Sequence, residues 1–221
     1  MSKNREAKRK AKKKALKAMP AKLEQARAEH VAEAIMDICR PWEILFRKEP
    51  DRLKAFHILW FLGVIAWNSA VHGALEPEDD FEEDPLTRDE KDFYSVVANT
   101  LIVRKYRLYP NLSAEVCNFS VPMVSGKPRL KVELGFAIPL EKIPISPERL
   151  NIRSTPKELV EAEIRHGGSP ATLARFIDKP EETILAWKEG KIQLDKDEEE
   201  LLHMAFETPA ILGIDENADA P

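Results

Sequence analysis

Charged side chains are the ones grouped closely enough in this sequence to do chemistry. Residues 1–22 carry ten Lys or Arg against one acid, Glu6. The centre of that run is Lys8, Arg9, Lys10, Lys12, Lys13 and Lys14. Such a cluster binds a phosphate backbone by releasing its counterions, with no preference for sequence. The alternative for the same residues is a solvated, partly helical tail that folds back on an acidic body. With +9 in this tail and a net charge of −4, the rest of the chain carries −13. The densest acidic stretch is EPEDDFEED at 76–84. A calcium loop needs alternating oxygen ligands, a Gly turn and a terminal bidentate Glu, and that order is missing, so a solvated loop is expected. His57 and His72 lack the HxxxH or HxxE company of metal ligands and read as packing residues. Cys39 and Cys117 form no CxxC or Cys/His zinc pattern. There is no P-loop, GxSxG, HExxH or plausible pair of catalytic carboxylates. Neither an enzyme, a cofactor nor a metal is expected.

The elements that must position these charges follow from periodicity. The chain has 221 residues, 43% apolar and 33% charged, enough for one large domain or two small ones with a buried core. Two unpaired cysteines and a charged N-terminus without an apolar stretch behind it point to a reducing cytoplasm and no secretory signal. The longest apolar run, Ile58 to Trp67, is too short to span a bilayer. No membrane is therefore expected as a partner.

Residues 1–22 are read as a tail and 23–138 as a helical body. Leu23, Ala26, His30, Val31, Ala34, Ile35 and Ile38 recur at three- and four-residue steps up to Pro41. A second helix, about 51–71, is apolar nearly all round and belongs in the middle of a core. A third, about 90–106, ends in Arg104, Lys105 and Arg107, cations that suit the negative end of the macrodipole. The period then changes to two. Cys117, Phe119, Val121 and Met123, then Leu130, Val132, Leu134, Phe136 and Ile138, alternate around Ser125-Gly126, which predicts an antiparallel hairpin at about 115–138. Cys117 is expected on its apolar face and Pro122 on an edge strand. Pro139, Pro144, Pro147 and Pro156 mark 139–155 as an extended connector, where the domain boundary is placed. The fold class is mainly α, in the α+β sense: a helical body with a hairpin, then a small all-α domain at 156–207 and a tail at 208–221.

The connector leads to the most specific stretch, Ser169 to Lys191, SPATLARFIDKPEETILAWKEGK. Ser169 caps a helix with Pro170 at its first position, and Leu173, Ala174 and Ile177 give it an apolar face. Asp178 and Lys179 break it. Pro180, Glu181 and Glu182 open a second helix that buries Ile184 and Trp187 and stops at Gly190. Helices flank this pair from Pro156 to Gly167 and from Asp195 to Phe206. In these intervals, and in Trp187-x-x-Gly190-Lys191, residues 156–207 resemble the helix-turn-helix of the Cro/lambda-repressor (Xre-like) family. That resemblance implies DNA binding by a transcriptional regulator or antitoxin-like repressor, as a homodimer or with a protein partner. Family geometry puts the second helix in the major groove. Glu182, Thr183 and Ala186 would read bases, and Lys179, Lys188 and Lys191 would hold phosphates, helped by the basic tail.

The chain departs from the family in two ways. Asp178 and Lys179 replace the turn glycine and the apolar residue after it, and two glutamates stand at the groove-facing end. Residues 169–207 hold five Lys/Arg against ten Asp/Glu, whereas DNA-binding modules usually present a basic face. The alternative is a protein-interaction module or adaptor whose helix-turn-helix does not bind DNA. The tail would then supply only non-specific nucleic-acid affinity.

Overall fold

A computed structural model describes residues 23–46, 51–77, 87–137, 143–165 and 167–212. The basic run from Lys8 to Lys14 and the acidic stretch 78–84 lie outside them. Helix α1 (23–39) passes through a 3-10 turn, Arg40–Trp42, into the short α2, Glu43–Phe46. Helix α3, Arg52–Val71, starts where the Asp51 side chain accepts from the Lys54 N–H at 3.1 Å. Helix α4, Arg88–Leu108, starts on a capping box between Thr87 and Glu90. That hydrogen bonding holds the Glu90 carboxyl below its ordinary range. The fold is mainly α with a small hairpin, as the sequence predicts.

Being apolar on all sides, α3 must be covered on all sides. By length and composition it could cross a bilayer, yet 61% of its most apolar window is buried in the protein. Gly63 lets α1 approach closely: a Cβ there would stand 2.5 Å from the Cys39 sulfur. Cys39 is fully buried, and desolvation pushes its thiol pKa far up, with no tendency to ionise. Two tryptophan N–H groups find partners inside the core, whereas the buried Trp60 Nε1 has none among the described residues. Trp42 donates to the Thr100 hydroxyl and Trp67 to the Ala114 carbonyl, each at 2.8 Å.

Strand β1, Ala114–Ser120, pairs antiparallel with β4, Lys131–Ala137. The ribbon continues as β2, Met123–Val124, and β3, Lys127–Pro128, around a turn in which Ser125 and Gly126 both have positive φ. One expectation is corrected here: Cys117 is exposed, not buried. The register shifts on both sides of Val116, so Ala114 and Val116 take the inner positions and Cys117 turns out. Asn68 on α3 fixes the irregularity. Its amide donates to the Val116 carbonyl and its oxygen accepts from the Val116 N–H, both at 2.9 Å.

The segment expected as an extended connector contains a short helix, α5 (Pro147–Leu150), capped by Ser146, and buries Ile145 and Leu150. Helix α6, Pro156–Arg165, opens on Thr155 and Glu158, which exchange capping bonds. Helix α7, Pro170–Phe176, and α8, Glu181–Lys188, are joined by a tight turn. Helix α9, Lys196–Leu212, runs past the expected end at Phe206 and through Pro209, because Thr208 and Ile211 are buried.

The helices of this last unit share an apolar cluster with the body. Leu159, Val160, Leu173, Ala174, Ile177, Ile184 and Trp187 meet Leu201 and Leu202 at its centre. Phe176 of α7 is the bridge, with ring centroids 5.6 Å from Trp42 and 5.7 Å from Phe206. Charge closes the same junction. Glu200 on α9 receives Arg104 at 2.5 Å, Arg153 at 3.0 Å and Arg107 at 3.9 Å. Two of the cations at the end of α4 that the macrodipole accounts for in the sequence, Arg104 and Arg107, are therefore drawn inward by a partner ninety-odd residues away.

Candidate nucleic-acid interface

The turn between α7 and α8 is built as a two-helix corner requires. Asp178 has φ 56°, the left-handed conformation that glycine adopts without cost and that Asp tolerates better than most residues. The chain closes there with Lys179 N–H donating to the Ala174 carbonyl at 2.8 Å. Pro180 sits at the N-cap of α8, one position earlier than the first turn. At the other end Gly190 has φ 70°, and Lys191 N–H donates to the Ala186 carbonyl at 2.9 Å, which ends α8 firmly. Ile184 and Trp187 are buried, so the exposed residues of α8 are Glu181, Glu182 and Leu185.

Each lysine expected on phosphate is occupied by a carboxylate of the same unit. Lys179 Nζ lies 2.9 Å from Glu198 on α9, and this hydrogen bond and ion pair raise its pKa. Lys188 Nζ lies 3.6 Å from Glu161 on α6. Lys191 pairs with Glu189, whose own pKa is lowered in return. Of the residues expected to read bases, Glu182 is exposed, while Thr183 and Ala186 are half-buried. Thr183 and Lys179 meet in a polar cleft of about 720 Å³ walled by Asp195, Asp197, Glu198 and Ile44 of the body. Lys188 and Lys191 do not line it. The tail residues Lys8, Arg9, Lys10, Lys12, Lys13 and Lys14 lie outside the described residues.

Sequence spacing places these lysines but is silent on their partners. The Glu198 and Glu200 carboxylates belong to a run, Asp197 to Glu200, that reads as the solvated first turn of a helix. In the fold one of them holds Lys179 and another binds the body's arginines. The only signal available in advance is the excess of acids over bases across residues 169–207. The chain matches no protein-family model, no curated protein and no solved structure.

Proposed function

We propose that the α6–α9 unit is a protein-docking module for a cationic, amphipathic segment of a partner. The reading rests on one observation: Lys179, Lys188 and Lys191 are paired within the unit, which leaves Glu181 and Glu182 exposed at the head of α8. Duplex DNA presents one negative charge about every 1.7 Å. Bringing α8 into its groove would set two carboxylates against that charge and break ion pairs to free each lysine. A cationic partner meets the same surface favourably. Leu185, on the same face as Glu181 one turn away, is 41% exposed and offers it an apolar contact. The basic tail supplies sequence-independent affinity for nucleic acid.

The DNA-reading alternative draws support from the α7–α8 corner, where Asp178 holds the left-handed turn and Glu181 and Glu182 are exposed at the head of α8. One experiment separates the two. A random DNA pool is selected with the full chain and with a chain lacking residues 1–22, and a labelled Lys/Leu-rich helical peptide is titrated into both. Docking predicts no enriched DNA motif, duplex binding that vanishes with the tail, and peptide binding weakened by Glu181→Lys with Glu182→Lys. An enriched motif that survives tail removal overturns the docking reading.

A further inference from the structure

A second cleft, of about 590 Å³, lies between the end of α4 and residues 143–151. We propose that it binds a small apolar monocarboxylate, with the Arg107 guanidinium as its charge partner. The volume falls within the range of about 300–1,000 Å³ in which small-molecule sites occur. Its walls are Tyr106, Ile143, Ile145 and Leu150, with Asn151 and Arg107 as convergent polar groups. The Tyr106 hydroxyl is already committed to the Ala74 carbonyl at 2.8 Å, so that ring presents apolar surface.

Arg107 is a cation with capacity to spare. Its Nε donates to the Leu150 carbonyl at 2.9 Å, and among the described residues this is its one hydrogen bond. Its carboxylate contact is Glu200 at 3.9 Å, but Arg104 and Arg153 already occupy the two oxygens of that group at 2.5 and 3.0 Å. Glu207, the other acid nearby, is engaged at one oxygen by the Ser154 N–H at 2.6 Å and by His203 at 2.9 Å, while its second oxygen is buried without a hydrogen-bond partner among the described residues. Three guanidinium groups thus face two carboxylates, leaving one positive charge at the cleft. The side chain is only 17% exposed, so water satisfies it poorly. Burial lowers its pKa below the ordinary arginine value, with the flanking arginines adding to this and the glutamates opposing it.

This combination selects its ligand class. A planar carboxylate matches the guanidinium fork, and one negative charge cancels the surplus. Apolar walls favour an alkyl or aryl body and exclude a strongly hydrated dianion. An amine would meet like charge.

The test uses the full chain with octanoate, 1-octanol and octylamine as probes, titrated calorimetrically. Octanoate is expected to bind about tenfold more tightly than octanol, the contribution of one charge-assisted pair, with octylamine weakest. Arg107→Gln should abolish the preference for octanoate over octanol. Ile143→Trp, which fills the cleft and keeps Arg107, should weaken both ligands with an unchanged circular dichroism spectrum. If Arg107→Gln fails to fold, Ile143→Trp and the octanoate-to-octanol ratio of the unaltered chain decide. The proposal is overturned by equal affinity for octanoate and octanol, by an unchanged preference in Arg107→Gln, by octanoate binding insensitive to Ile143→Trp, or by no binding at about millimolar octanoate.

Discussion

Replacing Lys105 by methionine should make the protein more stable at neutral pH. Lys105 has no exposed surface, and among the described residues its Nζ has no hydrogen-bond partner. It stands over the Trp67 ring at 5.2 Å and near the Tyr106 ring at 5.8 Å. Burial lowers its pKa from 10.5 to about 8. A drop of that size corresponds to about 3 kcal/mol of destabilisation below both values. Attraction to the two rings, about 2 kcal/mol at a desolvated site, returns part of it. Methionine has a similar length, fills the same space and carries no charge, so a gain of about 1 kcal/mol is expected at pH 7.

The sign of the pH dependence follows from the lowered value. Between about pH 8 and 10 the unfolded chain still holds the proton that folded Lys105 has released, so the unaltered protein gains stability as pH rises. The methionine variant lacks this gain, and the two stabilities converge. Tyr106 and Tyr109, both pushed up to about 12 mainly by burial, act in the opposite direction only above about pH 10. Urea unfolding of both proteins at intervals from pH 7 to 10 measures the gap. A variant less stable at pH 7, with a gap that stays constant to pH 10, would refute the reasoning.

Three further outcomes are expected. Glu200→Gln removes the carboxylate that holds Arg104, Arg107 and Arg153, leaving Arg104 buried without its partner; a loss of about 3 kcal/mol should appear in denaturant unfolding. Burial alone would raise the Glu200 pKa, and the arginines more than reverse it. Its stabilisation is therefore present above the ordinary glutamate range and lost as pH falls below it, a slope that the variant should lack. Gly63→Ala drives a Cβ to 2.5 Å from the Cys39 sulfur and should cost about 1–3 kcal/mol in thermal unfolding, partly recovered by adding Cys39→Ala; an unchanged melting temperature would contradict the close α1–α3 contact. Asp178→Val should cost about 1–2 kcal/mol because a β-branched residue resists φ 56°, whereas Asp178→Gly stays near neutral; equal stabilities of the two variants would place the turn in another conformation.

Much of the fold was legible in the sequence because local physics specifies it. Period-3.6 patterns, Pro170 at the start of α7 and the stops at Gly167 and Gly190 fix where helices begin and end, while the Thr87 cap starts α4 two residues before the apolar period shows it. The change to period two, with Ser125-Gly126 between the runs, announces the hairpin. The Ser169–Lys191 spacing announces a pair of helices around a tight turn. What depends on side chains meeting across long sequence separations was not legible. Cys117 turned outward because Asn68, far away on α3, holds the Val116 backbone and breaks the alternation. Lys105 shows no sign in its neighbourhood that it will be buried, since a Lys near a helix end is ordinarily solvated. The lysines of the α7–α9 region look available for phosphate until the fold brings Glu161 and Glu198 to two of them. By itself the sequence determined which elements form and the sign of the charge they carry, because caps, turns and apolar period act within a few residues. Only the tertiary structure decided which charges remain free, because ion pairing and burial depend on the distance between elements that the chain brings together last.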